Sequence, residues 1–169
     1  MSLRVIATLL AALALASFLF PFFAVTYDGR PLIHFTGLEL VLGTTFRRSF
    51  EYGGQAATPG HVAAEITAML AVAALACSVV LSWLRSAWAN FAGIYTAMAS
   101  WALILFLEGK MQHTAVATFP NTELERAPAW WTALIAAGAL TIVIRRMAYA
   151  RLRERLSKEK APAEAGASQ

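Results

Sequence analysis

The sequence predicts an all-α membrane protein: a bundle of four transmembrane helices with a small extracytoplasmic β-sheet built from the first and third connecting loops. Three observations lead there. Of the 169 residues, 59% are hydrophobic and 14% charged, against about 45–50% and about 25% in an average soluble domain. The apolar residues gather into four runs, and a helix needs about 20 residues to cross a hydrocarbon core of about 30 Å. The runs are continuously apolar, without the alternation of a barrel strand or the polar face of a soluble helix. Lipid offers the backbone no hydrogen-bond partner, so such runs must be helical.

The first helix is expected at about residues 5–25, with no charge inside it. Arg4 and Ala14-Leu15-Ala16 resemble parts of a secretory signal. The apolar run continues through Phe23, however, which is too long for a signal core, so an uncleaved anchor is expected. Pro21 removes a backbone donor and would end the helix, passing Phe22–Val25 into a strand.

The outer loop 26–60 follows. Asp28-Gly29 separates two β-prone runs, Phe23–Tyr27 and Leu32–Thr36, and suits a type I′ hairpin turn. Pro31 belongs at an edge or a strand start. Thr36–Gly43 reads as a short strand or a helical turn, and Arg47–Gly60, with Gly53, Gly54 and Pro59, as irregular chain.

The second helix is expected at 62–84, with Glu65 near its start, and the third at 87–107. Trp83 and Trp88 flank the tight Arg85–Ser86 turn between them as interfacial anchors. In the outer loop 109–128, Thr114–Phe119 alternates and is expected to add a strand. Thr122-x-x-Glu125 matches a capping box that would start a helix, and Pro128 suits a first helical turn. The fourth helix is expected at 129–147, with Trp130 and Trp131 at its outer end. Residues 148–160 read as a basic amphipathic cytoplasmic segment with Tyr149, Leu152 and Leu156 on one stripe, and 161–169 as a disordered tail.

The net charge of +4 resides in the last 25 residues, which hold seven basic and three acidic side chains. A basic block directly after an apolar span points to anionic lipid headgroups rather than nucleic acid. Arg145, Arg146, Arg151, Arg153 and Arg155 are the headgroup candidates. With four crossings, nine Lys and Arg fall on the side of the termini and five on the other. Both termini are therefore expected in the cytoplasm, with the chain integral to a bacterial cytoplasmic membrane.

Helices in lipid associate through small residues that allow close approach. Ala89, Gly93 and Ala97 form such a stripe on the third helix and Ala133 and Ala137 on the fourth; Ala64, Ala68 and Ala71 do so on the second. Tyr95, Asn90 and Trp101 carry polar tips suited to bridging helices.

The residues offer few routes to chemistry. His34, His61 and His113 all fall in outer segments and would share one face of the membrane, yet no H-E-x-x-H or H-x-x-E-H spacing joins them. They read as isolated surface histidines, and no metal or other cofactor is expected. Glu65 and Glu108 are the acids nearest the hydrocarbon. Glu65 is the deeper, the better candidate for a functional acid, and could face Arg47 or Arg48. Cys77, the single cysteine, excludes a disulfide scaffold and reads as a small apolar filler. No Walker loop, dinucleotide fingerprint, nucleophile elbow or haem signature occurs.

Four helices, cytoplasmic termini, a long first outer loop with strands and a shorter second one make the layout of residues 5–147 similar to claudin-type tetraspan proteins. Gly37-Leu38 echoes the claudin Gly-Leu-Trp motif, with Glu39 in place of its tryptophan and no cysteine in the loop. The alanine-rich composition and the Phe-rich end of the first run, followed by Thr36-Gly37-Leu38, also resemble small bacterial tetraspan membrane proteins. The leading expectation is a non-enzymatic interaction or accessory subunit packed against other membrane proteins or itself, as in a larger bioenergetic complex. The alternative is a binder or carrier of a lipid-like apolar ligand held in the bundle. A third is a small membrane enzyme with a metal held by the three histidines.

Overall fold

A computed structural model of the chain describes residues 2–27, 30–47, 59–84, 86–118 and 123–166. In chain order the elements are α1 (Leu3–Ser17), β1 (Pro21–Tyr27), β2 (Arg30–Thr36), α2 (Gly37–Leu42), β3 (Thr44–Arg47), β4 (Pro59–Val62), α3 (Ile66–Trp83), α4 (Ala87–Thr118), β5 (Glu123–Arg126) and α5 (Pro128–Gly166). The chain is mostly helical. Stretches of α3, α4 and α5 are long and apolar enough to cross a membrane.

The first helix stops eight residues short of the expected 25. Its 15 residues rise about 22 Å, less than a hydrocarbon core. Phe18, Leu19 and Phe20 close its end with bonds three residues back, to Leu15, Ala16 and Ser17. Pro21 then disfavours a helical Phe20 and opens β1, a position where its missing donor is harmless. The Phe-Phe-Ala-Val-Thr run that follows suits a strand.

β1 is the middle strand of a three-stranded sheet, ordered β2-β1-β5 and antiparallel throughout. Phe22, Phe23, Ala24, Val25 and Thr26 are all buried. Opposite Phe23 stand Phe35 on one side and Arg126 on the other. The Asp28-Gly29 turn lies outside the described residues. Thr36 caps α2 through a reciprocal pair: its hydroxyl accepts from the Glu39 N–H, and Glu39 Oε2 accepts from the Thr36 N–H at 2.8 Å.

Four expectations for the loops are corrected. Thr114–Thr118 is helical rather than a strand, because α4 continues 11 residues beyond 107 with Met111 buried in line with Ile104 and Leu107. The segment after Thr122 begins no helix; Glu123–Arg126 fills the second edge of β1, and the Ala127 N–H donates to Phe22 O at 2.9 Å. A buried strand edge needs backbone partners, and that demand outweighs a local capping pattern. Pro59–Val62 pairs with Thr44–Arg47 instead of being irregular, so α3 starts at Ile66 rather than Val62. The tail expected to be disordered from Ala161 is helical to Gly166, continuing α5 through Pro162, whose missing N–H costs it a helix bond.

The helices pack in a ring: α1 touches α3 and α5, α3 touches α4, and α4 touches α5. Small side chains recur through the interior. Ala7, Ala11 and Ala14 of α1, Ala68, Ala71 and Ser78 of α3, Ala89 and Ala97 of α4, and Ala133, Ala136 and Ala137 of α5 are buried. Large apolar side chains are found on both sides: Leu75, Ile104, Leu107 and Leu140 are buried, and Leu9, Leu13, Leu70, Phe106 and Ile135 are exposed. Buried hydroxyls satisfy themselves within their helices: Ser78 and Ser100 donate to the carbonyls of Leu75 and Ala97. Where β1 meets the bundle, Phe18, Phe22, Phe23 and Trp130 form a run of aromatic rings.

Candidate functional site

The polar contacts gather where the sheet meets the helix ends. Glu65 directly precedes α3 and caps it with no side-chain bond. Its carboxylate instead accepts from Lys110 Nζ at 2.6 Å. The partners expected from the sequence, Arg48 and the Arg47 side chain, lie outside the described residues. The extra length of α4 is what carries Lys110 to Glu65. Two residues earlier on α4, Glu108 accepts from Arg126 of β5. The Arg126 guanidinium also lies 5.6 Å from the Trp130 ring and 5.7 Å from that of Trp131, within cation–π range. Trp130 is buried, and among the described residues its indole N–H has no acceptor.

Each ion pair joins elements distant in sequence, Glu65 to Lys110 across 45 residues and Glu108 to Arg126 across 18. Both acids are mostly covered and both cations are more open, so the pairs are half-solvated clamps at the rim of the bundle. Both carboxylates are engaged in these pairs.

His34 is exposed on β2 and His113 is exposed on α4. His61 lies on β4 opposite Thr45, its side chain outside the described residues. Among the described residues no group of three His, Cys, Asp or Glu side chains is placed to hold a metal. Cys77 is exposed on α3.

The small-residue stripe of α4 lies inside the bundle. A methyl placed on Gly93 would meet Leu81 of α3 at 3.5 Å and Ile144 of α5 at 3.6 Å. Those are ordinary contacts, so Gly93 sits where three helices meet without being forced to be glycine. Ala133 and Ala137 are buried on α5. In the second helix, Ala68 and Ala71 are buried, whereas Ala64 precedes the helix and is exposed. Gly37 is the glycine the sequence did not single out for packing. A Cβ there would lie 2.8 Å from Phe18 Cα, where the start of α2 rests on the end of α1.

Two grooves mark the outer surface of the bundle. The first, about 420 Å³, runs between the end of α1 and the start of α5 and is walled by Leu13, Phe20, Pro21, Pro128 and Thr132. The second, about 280 Å³, lies between α4 and α5 at the other end. Phe91, Ile94, Tyr95 and Met98 form its α4 wall, and Arg145, Ala148, Tyr149 and Leu152 its α5 wall. Arg145 lies 5.5 Å from the Tyr149 ring centre.

The other arginines of the basic segment are spread around one continuous helix. Arg151 donates to the Leu84 carbonyl at 3.3 Å, tying α5 to the end of α3. Arg146 and Arg153 are exposed, and the Arg155 side chain lies outside the described residues. No break separates this segment from the membrane helix, so it leaves along the axis of α5. No family model matches the chain, and comparison with curated proteins and with solved structures finds none similar to it.

Proposed function

We propose that this chain is a four-span, non-enzymatic subunit of a bacterial cytoplasmic membrane that packs against other membrane proteins, with both termini in the cytoplasm. The observation that carries the membrane part of this reading is the exterior of the bundle. Many leucine, isoleucine and phenylalanine side chains stand exposed there, while alanine and serine share the interior with other large apolar residues. Water would penalise that exterior, whereas lipid is indifferent to it and rewards close packing of small residues.

α1 alone is short for a crossing, and in this reading Phe18–Ala24 completes it, shielded by the sheet. The sheet then faces the outside, as in the claudin-like layout. The interaction role rests on how the polar groups are used: both ion pairs and the capping box of α2 join the chain to itself. What remains available to others is the apolar exterior and the end of α5, where 12 residues follow the apolar stretch that closes at Glu154.

Blue-native electrophoresis after mild detergent extraction tests the proposal. A discrete band containing a second, stoichiometric protein is expected. A strictly monomeric band with nothing co-purifying overturns it. The groove between α1 and α5 favours a second reading, a binder of an apolar ligand. Native mass spectrometry showing a stoichiometric small molecule would support that one instead.

A further inference from the structure

We infer that the groove between α4 and α5 is a binding site for one anionic phospholipid, its phosphate on Arg145 and an acyl chain along Phe91, Ile94 and Met98. The inference needs the chain to be embedded in a bilayer but does not need a protein partner.

The argument begins with depth. Arg151 marks the end of the bundle, because it bonds to the Leu84 carbonyl where α3 finishes. Arg145 lies six residues earlier on the same helix, about 9 Å farther toward the middle of the bundle. Its neighbour Ile144 is level with Gly93, within the second turn of α4. The guanidinium is therefore set beside apolar side chains rather than beyond them. A cation at that depth is costly unless paired. Among the described residues its guanidinium meets the Tyr149 ring, which leaves its N–H donors open, and neither ion pair involves it.

The groove has the chemistry of a phospholipid in the right order. At the Arg145 level stand five fixed guanidinium N–H donors, the geometry that grips a phosphate through two oxygens. Tyr95 and Tyr149 line the same groove and add hydroxyl donors. From there the α4 wall continues to Met98, toward the middle of the membrane, with apolar contacts alone. Among the described residues no acid lines the groove. Exposed Arg146 and Arg153 on the same helix raise the local positive potential. That selects a lipid of net negative charge over a zwitterionic one.

The test reconstitutes the full chain in a mixed bilayer of phosphatidylglycerol and phosphatidylethanolamine and counts retained lipid by native mass spectrometry. The expected result is one phosphatidylglycerol per chain. Arg145→Gln should lower its retention about five-fold, the loss of one basic contact near a charged surface. Met98→Trp, which fills the apolar end, should lower it with Arg145 intact. Arg153→Gln, outside the groove, should lower it less than Arg145→Gln does, because Arg153 adds to the potential but lines no part of the groove. Circular dichroism confirms that each variant keeps its helices. Equal retention of phosphatidylethanolamine, full retention by Arg145→Gln or by Met98→Trp, or an equal loss with Arg153→Gln each overturns the site. A chain that stays dissolved without detergent would instead refute the membrane reading itself.

Discussion

Replacing Gly37 with alanine isolates the contact that seats the sheet on the bundle. The added methyl would lie 2.7 Å from Phe18 Cδ1, 2.8 Å from its Cα and 2.9 Å from its Cγ. The ring could rotate away, but the Cα could not, so the backbone of α2 must lift from the end of α1. Two hydrogen bonds cross that joint: the Leu38 N–H donates to Phe18 O at 2.6 Å, and the Gly37 N–H to Phe20 O at 3.3 Å. Overpacking of a close-fitted site costs about 1–3 kcal/mol, and weakening one backbone bond adds about 1 kcal/mol. A loss of about 2–4 kcal/mol is expected. In a chain of this size each kcal/mol moves the thermal midpoint by roughly 2–4 °C, so the shift is readily measured. Tryptophan fluorescence on heating in detergent is the assay, because Trp130 is buried beside the same aromatic run. Gly109→Ala is the control. Nothing lies within 4 Å of a Cβ at that helical position, and alanine there should stabilise by up to about 1 kcal/mol. A Gly37→Ala protein as stable as the parent would refute the close approach of α2 to Phe18.

Four further outcomes are expected. Gly93→Ala should leave stability nearly unchanged, since its methyl meets Leu81 and Ile144 at ordinary distances; Gly93→Leu should separate the helices and abolish folded protein on size-exclusion chromatography. Lys110→Ala should cost about 0.5 kcal/mol in thermal or denaturant unfolding, the worth of a half-solvated pair, and exchanging the two charges by Glu65→Lys with Lys110→Glu should recover part of the loss left by either reversal alone. Arg126→Lys should not replace Arg126: it keeps the charge toward Glu108 but loses the guanidinium's contact with the Trp130 and Trp131 rings, and a tryptophan emission shift should report it. In a Cys77→Ser background, an impermeant maleimide should label Glu123→Cys on intact cells but Ser2→Cys and Ser157→Cys only after permeabilisation; labelling of Ser2→Cys from outside would reduce the crossings to three.

Particular residues show how far the sequence could be read. The apolar runs after Glu65, after Arg85 and after Pro128 became long helices because lipid-compatible composition leaves a backbone no alternative. Phe22–Tyr27 and Leu32–Thr36 were legible as strands from their β-branched and aromatic residues and from the Asp28-Gly29 pair between them. Glu123–Arg126 was not, for its residues have little strand preference and it is a strand only because β1 has an edge to fill. Likewise nothing local to Lys110 announces Glu65, and nothing local to Glu108 announces Arg126. Arg145 stood out in the sequence as one of several arginines near a headgroup layer. Only the antiparallel packing of α4 on α5 sets it apart, opposite Phe91 and Tyr95.

What the sequence determined alone is where the long apolar helices lie and that they are apolar enough to cross a membrane, since both follow from hydrophobicity summed over many consecutive residues. Tertiary structure decided where the first helix ends, how far α4 and α5 continue, which strand lies third in the sheet, and which charges meet. Those outcomes turn on single contacts between residues far apart in the chain. Their energies appear only once the backbone has brought the partners together.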